Sequence, residues 1–179
     1  MGKVLSRKFF NRDTKVVAQD LIGKFLIRKI GNKKISVMIL ETEAYDGFYD
    51  KASHAFIGKT KRNEVMFERA GIFYVYLTYG MHFMLNIVTR EKDYPAAVLI
   101  RGAKVENSEV LLNGPAKLTK FLKIEKSFNN KKAEVSNGLW FEDGGVDINK
   151  NNIKKTPRIG VNYTGPFWAN KKLRFILEG

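Results

Sequence analysis

Two glutamates separated by a single residue, Glu41 and Glu43, follow the apolar segment 35–40 and precede an aromatic residue, Tyr45. A carboxylate can take a proton from an attacking water and can also stabilise positive charge that develops on a sugar. The pattern therefore predicts a strand that ends in a hydrolytic site. The structural alternative is that the strand leaves the core after Leu40 and that both acids are solvated.

The alternation of apolar residues predicts the faces on which these acids lie. Every second residue of the segment 35–39 is branched and apolar. If the two-residue period of a strand continues, Glu41 and Glu43 extend that apolar face, and Thr42 and Ala44 lie on the opposite one. Two acids would then occupy positions where core residues are expected.

The chain carries a strong excess of positive charge. Its 179 residues include 32 Lys and Arg against 18 Asp and Glu, which gives a formal net charge of +14. A polyanion is the expected partner, with nucleic acid ahead of an anionic membrane surface. The length fits one domain over residues 1–179, and a hydrophobic fraction of 44% argues for a folded chain.

The composition also argues against several classes of site. No apolar run approaches the roughly 20 residues that a membrane-spanning helix needs, and the N-terminus lacks the apolar core of a signal peptide. We therefore expect an intracellular protein without a membrane segment. The absence of cysteine excludes disulfides and thiolate zinc sites, and His54 and His82 are the only histidines. We expect neither a metal nor another cofactor.

The elements that position the acids begin with an antiparallel hairpin. Strands are predicted over 24–30 and 34–45, and a short helix over 15–22. The loop 46–61 that follows lacks periodicity and carries His54, so we expect it beside the end of the second strand. Loops held by a rigid scaffold often carry functional residues.

A second hairpin is predicted from two aromatic-rich strands over 72–78 and 81–89. Its tip would expose Tyr79, Gly80 and Met81 to solvent. Large apolar groups at an exposed tip are costly unless a partner covers them. The tip is therefore a candidate contact surface.

The remaining elements complete the predicted fold. A buried strand over 96–103 contains a single charge, Arg101, and a helix that opens at Pro115 turns an apolar face inward. The segment 126–155 shows one short strand and gives no functional signal. Hairpins with short helices between them predict an α+β fold with an antiparallel sheet and one protruding β-hairpin. The predicted inward face of the helix consists of Leu118, Phe121 and Leu122.

These residues together resemble one family, the alkyladenine (methylpurine) DNA glycosylases. The matching positions occur in the family's order along most of the chain and are sparsest over 126–155. They are Glu41-Thr42-Glu43-Ala44-Tyr45, His54, Thr60, Arg62-Asn63, Met66-Phe67, Tyr74-Val75-Tyr76, Tyr79-Gly80, Asn86, 99–101, Gly114-Pro115, Pro157-Arg158-Ile159-Gly160 and Leu173-Arg174-Phe175.

The resemblance implies a monofunctional base-excision-repair glycosylase, a monomer that acts on double-stranded DNA containing damaged purines. Such an enzyme flips the damaged base out of the duplex. Glu43 would then activate the water that hydrolyses the N-glycosidic bond, leaving an abasic site. The Arg101 side chain and the Ile159 backbone carbonyl would hold that water. Their structural alternatives are a phosphate-binding or structural arginine and a core isoleucine.

The resemblance also implies a pocket for the flipped base. Tyr45 and His54 would stack on one face of the base and Tyr76 on the other, each stack contributing about 1 to 3 kcal/mol. Asn86 would discriminate against the guanine amino group. Tyr79 would fill the space that the base vacates. From the sequence alone, core packing for the tyrosines and a structural amide for Asn86 stay open.

Two other functions fit parts of the sequence. A glycoside hydrolase could use Glu41 and Glu43, because alternate residues of a strand are roughly 6.6 Å apart, near the lower limit of about 6.5 Å for inverting pairs. A neutral sugar polymer, however, gives no reason for the positive charge. A non-catalytic nucleic-acid-binding module would use the tyrosines and lysines equally well, and Glu43 is the residue that such a module does not need.

Overall fold

The computed structural model describes residues 2–178. Its architecture is α+β, with ten strands in one antiparallel sheet and four short α-helices, which confirms the predicted fold class. The strands are β1 (Lys3–Val4), β2 (Phe25–Ile30), β3 (Lys33–Asp46), β4 (Phe73–Thr78), β5 (His82–Val88), β6 (Ala96–Val105), β7 (Leu111–Asn113), β8 (Leu139–Asp143), β9 (Ile153–Thr156) and β10 (Arg174–Leu177), and the helices are α1 (Arg7–Phe10), α2 (Thr14–Asp20), α3 (Pro115–Phe121) and α4 (Pro166–Ala169).

Strand β3 is the longest element and lies at the centre of the sheet. It spans 14 residues and pairs with β2, with β6 and, near its C-terminal end, with β10. The main strand order is β1-β8-β2-β3-β6-β5-β4. Strand β6 therefore lies between the hairpin β2–β3 and the hairpin β4–β5, and it brings the end of β3 near the second hairpin.

The main core lies between the sheet and α2. Asp13 caps α2 by accepting two hydrogen bonds from backbone amides of its first turn, and the helix buries Val17 and Ala18 against the sheet. Thr42 of β3 donates its hydroxyl to the Ala18 carbonyl at 2.8 Å. These contacts fix the face of β3 that points into this core.

A β-bulge interrupts β3 just before the two glutamates. Ile39 pairs with Ala103 of β6, whereas Glu41 pairs with the adjacent residue, Gly102. Leu40 is therefore an extra residue on β3. Such a bulge bends the strand and shifts its alternation by one position.

The bulge makes the predicted alternation wrong beyond Ile39. Thr42 and Ala44 continue the core face, and Glu41 and Glu43 lie on the opposite side of the sheet, where both face the same arginine. One inserted residue exchanges the two faces of a strand, because side chains alternate with a period of two. The two acids therefore lie outside this core, although β3 continues beyond them to Asp46.

The predicted hairpin β4–β5 and its exposed tip are confirmed. Tyr79 and Met81 are 89% and 69% exposed. Tyr79 and Gly80 have φ angles of 50° and 70°, and the Met81 amide donates to the Thr78 carbonyl at 3.1 Å, as in a type I′ turn. A positive φ costs a tyrosine of order 1–3 kcal/mol. The fold therefore holds the Tyr79 ring outward in a strained conformation.

Helix α3 differs from the prediction in its buried face. Phe121 is 40% exposed, so its predicted inward position is wrong, whereas Leu118 and Leu122 are buried. Thr119 takes the remaining inward position and donates its hydroxyl to the Phe83 carbonyl at 2.8 Å. At about 100° per residue, Leu122 lies between Leu118 and Thr119 around the helix axis, so these three residues form the buried face, and Phe121 lies about 60° from Leu118 on its other side, beyond the edge of that face.

Two loops beside the end of β3 are joined by a buried ion pair. Arg158 donates two hydrogen bonds to Asp50, of which the one from Nη2 to Oδ1 is 2.8 Å long, and another to the Ala44 carbonyl at 2.9 Å. The two side chains are 0% and 1% exposed. The pair holds the loop that follows β3 against the segment 157–161.

Replacement of Asp50 by alanine leaves the Arg158 charge buried without its partner. We expect Asp50→Ala to lower the free energy of unfolding by about 3–5 kcal/mol. The control is Lys154→Ala, which removes an exposed pair with Glu178 and should change that free energy by less than about 1 kcal/mol. Urea unfolding followed by circular dichroism measures both variants. Equal losses would contradict a structural role for the buried pair.

Candidate active site

A cavity of about 310 Å³ opens on the face of the sheet opposite α2. This volume is at the lower end of the range of about 300–1,000 Å³ that is typical of ligand pockets. Its walls come from β3 to β6, from the 3₁₀ turn His54–Ile57 and from the segment 159–163. The sequence-predicted site residues that line it are Tyr45, His54, Tyr76, Tyr79, Asn86, Arg101 and Ile159.

Glu43 lies behind the wall of this cavity as a fully buried carboxylate, 0% exposed. Its Oε1 accepts a hydrogen bond from the Ile159 amide at 2.8 Å, and its Oε2 accepts one from the Tyr45 hydroxyl at 2.8 Å. The Nε of Arg101 is 3.5 Å from Oε1. Because these three neighbours line the cavity, Glu43 is one side chain away from the space that a ligand would occupy.

Burial raises the pKa of the Glu43 carboxyl above its ordinary value, because the interior disfavours the charged form. Arg101, the Ile159 amide, the Tyr45 hydroxyl and Arg158 oppose this rise, in that order of size. The carboxylate is therefore held in place by donors and is still more basic than a solvated glutamate. A raised pKa of this kind suits a general base.

A second bulge places Arg101 beside the acids. Glu41 pairs with Gly102, and the next residue, Thr42, pairs with Ile100, so Arg101 is an extra residue on β6. This bulge in β6 lies directly beside the bulge in β3. Beyond the two bulges, from Thr42 and Ile100 onward, the strands pair regularly again. Arg101 Nε donates a hydrogen bond to Glu41 Oε1 at 2.8 Å.

Tyr45 lies between Glu43 and a second arginine. While its hydroxyl donates to Glu43, the Arg158 guanidinium lies 4.7 Å from the centre of its ring, a cation–π contact. Burial and the Glu43 carboxylate raise the pKa of the Tyr45 hydroxyl well above its ordinary value. The hydroxyl therefore stays protonated and remains a hydrogen-bond donor at neutral pH.

An aromatic cluster forms one wall of the cavity. The Tyr74 hydroxyl is 2.9 Å from His54 Nδ1, and the rings of His54 and Tyr76 meet edge to face with centroids 4.6 Å apart and planes at 70°. A base stacked between two parallel rings needs about 7 Å between them, twice a carbon–carbon contact distance of about 3.5 Å. His54 and Tyr76 contact each other in this arrangement and leave no such space.

His54 is held in its neutral form. Burial and, to a smaller extent, Arg62 lower its pKa from the ordinary value of 6.5 to about 4. Burial also raises the pKa of the Tyr74 hydroxyl, which therefore stays protonated beside the neutral imidazole. The wall of the cavity therefore carries no histidine charge at neutral pH.

Asn86 presents one acceptor to the cavity. It is 3% exposed, and its Nδ2 donates to the Tyr74 carbonyl at 3.1 Å. Within residues 2–178, no protein group donates to its Oδ1. The amide is thus oriented by the backbone and can accept one hydrogen bond from a ligand.

The mouth of the cavity has a residue that the sequence analysis missed. Tyr163 is 74% exposed and lines the cavity, as does Tyr79. It belongs to the 3₁₀ turn Asn162–Thr164, in which the Thr164 hydroxyl donates to the Val161 carbonyl at 2.6 Å. In the sequence, only its position four residues after Ile159 could have indicated that Tyr163 lies near the site.

The arrangement could hold a flat aromatic ligand once His54 or Tyr76 moves, because these two rings are in contact. The cavity combines aromatic walls, one buried carboxylate and one arginine, which suits hydrolysis of a bond between an aromatic base and a sugar. In the part of the chain that the structure describes, no group of three or more histidine or acidic side chains could hold a metal ion. Nor does any helix among residues 2–178 have the length and apolar character to span a membrane.

The low pKa of His54 predicts how the stability of the folded protein depends on pH. The unfolded chain binds a proton near pH 6.5 and the folded one near pH 4, so the unfolded state holds more protons between these values. Stability should therefore fall as the pH falls through this window. The titration of the imidazole C2–H by NMR, assigned with a His82→Asn variant, measures the pKa directly. A midpoint at or above 6.5 would show that His54 is not desolvated.

Comparison with known proteins tests the resemblance. Residues 8–179 match the family described as "Methylpurine-DNA glycosylase (MPG)". A protein of Borreliella afzelii (strain PKo) named "Putative 3-methyladenine DNA glycosylase" is 45% identical, with 98% of this chain and 96% of the relative covered. A protein of the same name from Methanocella arvoryzae (strain DSM 22066 / NBRC 105507 / MRE50) is 43% identical, with 90% and 86% covered. On this similarity along nearly its whole length, the chain belongs to the methylpurine-DNA glycosylase family.

Proposed function

We propose that this protein flips methylated purines out of double-stranded DNA and hydrolyses the N-glycosidic bond with a water activated by Glu43, leaving an abasic site. The observation that carries the proposal is the position of Glu43, a buried carboxylate with a raised pKa behind an aromatic cavity. The family and the names of the relatives support this class of reaction. The protein would act as a monofunctional monomer on DNA inside the cell.

The hydrogen bonds of Glu43 leave it able to bind the attacking water. A carboxylate has about four acceptor positions, and the Ile159 amide and the Tyr45 hydroxyl occupy two. The water would donate to a remaining position, with Arg101 and the Ile159 carbonyl as its other partners. As the water attacks the sugar C1′, Glu43 takes its proton and also faces the positive charge that develops on the sugar.

Binding of the base would require a change in the aromatic wall. Because His54 and Tyr76 are in edge contact, with centroids 4.6 Å apart, one of them has to move before a purine stacks between them. Tyr45 is already anchored by Glu43 and Arg158. The Asn86 Oδ1 would then face the edge of the purine and accept a hydrogen bond from it.

The rival functions receive less support. A glycoside hydrolase with Glu41 and Glu43 as its acids needs both carboxylates at the sugar, but Glu41 is held by hydrogen bonds from Arg101 and Arg174. A binding module without catalysis has no use for a carboxylate buried as Glu43 is. A neutral sugar substrate would also give no reason for the net charge of +14.

Replacement of the proposed base tests the chemistry. Glu43→Gln keeps the shape of the side chain and removes its ability to take a proton, so single-turnover excision should fall at least about 100-fold while binding to damaged duplex is kept. Glu109→Gln, which removes the charge of a 95% exposed side chain, is the control. Excision by folded Glu43→Gln at the rate of the control would refute the assignment.

Replacement of Tyr79 tests base flipping separately from the chemistry. If its ring fills the gap in the stack, Tyr79→Ala should slow excision most for a well-paired lesion and least for a mispaired or single-stranded one, in which the base is already partly free. Tyr49→Ala removes another exposed ring, 83% exposed and outside the cavity lining, and serves as the control. An equal loss in all three contexts would mean that Tyr79 is not a wedge.

A further inference from the structure

Glu41, the other carboxylate of the pair, has no part in the reaction proposed above, and yet the sheet is built to accept it. It is 7% exposed, and its Oε1 accepts hydrogen bonds from Arg101 Nε at 2.8 Å and from Arg174 Nε at 2.6 Å. Its neighbour on β6 is Gly102, where a Cβ would lie 3.2 Å from the Glu41 Cβ and 3.3 Å from Oε2. A larger residue at position 102 would therefore crowd the carboxylate.

The two acids compete for one donor. Arg101 Nε is 2.8 Å from Glu41 Oε1 and 3.5 Å from Glu43 Oε1. A single N–H points in one direction, and hydrogen bonds between N–H and oxygen are about 2.7–3.2 Å long. The hydrogen bond is therefore made to Glu41, and Glu43 receives only the weaker attraction of the nearby charge. Arg174, on the far side, keeps Glu41 in this position.

We propose that Glu41 is a positioning residue, which holds the Arg101 guanidinium so that the Glu43 carboxylate is left available to accept the proton of the attacking water. This inference rests on the proposed function. A carboxylate that pairs fully with an arginine becomes a weaker base, because the arginine stabilises its charged form. Glu41 prevents that pairing and still keeps Arg101 at the wall of the cavity.

The direction of the effect follows from the groups around Glu43. Burial raises its pKa, and Arg101 is the largest opposing influence. Without the Glu41 charge, Arg101 has Glu43 as its nearest acid, and one negative charge near Glu43 is also lost. Both changes lower the pKa of Glu43. The groups that face Glu43 are Glu41 and Tyr45 of β3, Tyr76 of β4, Arg101 of β6, Arg158 and the Ile159 amide of the segment 157–161 and, through Glu41, Arg174 of β10.

The test is the pH dependence of single-turnover excision by Glu41→Gln. The substrate is a duplex with one N3-methyladenine, a fixed cation without the guanine amino group, so that the leaving group does not itself titrate in the acidic range. We expect the acidic limb, where the rate falls as Glu43 takes up a proton, to move to lower pH. The rate on the plateau should fall roughly 10-fold, because the base is weaker. Glu109→Gln, which removes the same charge from an exposed site, should keep the wild-type limb.

A second variant and a second measurement keep the test decisive. If Glu41→Gln does not fold, Glu41→Gln/Arg174→Gln removes the acid together with one of its arginines and should show the same displacement of the limb. The ¹³C NMR titration of the Glu43 carboxyl, assigned with Glu43→Gln, should show a lower pKa in the variant than in the wild type. It needs no turnover, so it separates a failure of this inference from a failure of the proposed function. An unchanged Glu43 titration in the folded variant overturns the inference.

Discussion

The burial of one carboxylate, Glu43, is the constraint on which the site depends. An ionised carboxylate without partners is strongly destabilised in a protein interior, so it must be paired or hydrogen-bonded. Here the Ile159 amide, the Tyr45 hydroxyl and Arg101 surround it. These groups come from three separate parts of the chain, and the buried ion pair of Arg158 fixes the part that carries Ile159. Contacts between distant parts of the chain thus stabilise one buried negative charge.

Two adjacent bulges reconcile that charge with a continuous core. β3 and β6 each gain one residue at the same level of the sheet, Leu40 and Arg101. Both strands therefore exchange their faces together, and the pairing continues on either side. Val37, Ile39, Thr42 and Ala44 thus share the core face of β3, while the two acids lie with Arg101 on the opposite side of the sheet. A regular pair of strands would instead have placed the acids in the core, where no partner awaits them.

The sequence predicted what depends on local pattern and missed what depends on distant contacts. The hairpin tip at Tyr79 was predictable because aromatic alternation and a glycine lie within a few residues of it. The bulge at Leu40 was not, since it leaves no trace in composition and exists only in the pairing of β3 with β6. The pair of Asp50 and Arg158 joins residues 108 positions apart in the chain, so no local pattern indicates it. Strands β1, β7 and β9 are too short for alternation to be recognised.

The neutral state of His54 suits a cationic base such as the alkylated purine of the proposed function. An alkylated purine that carries a positive charge leaves the sugar without a general acid, so the site needs a base but no second titrating group. A protonated His54 would repel such a ligand, and burial prevents this by lowering its pKa to about 4. The remaining aromatic faces attract a cation through their π-electrons. Burial thus raises the pKa of Glu43 and keeps His54 neutral, so in the proposed function one physical cause would prepare both the base and the wall for a cationic substrate.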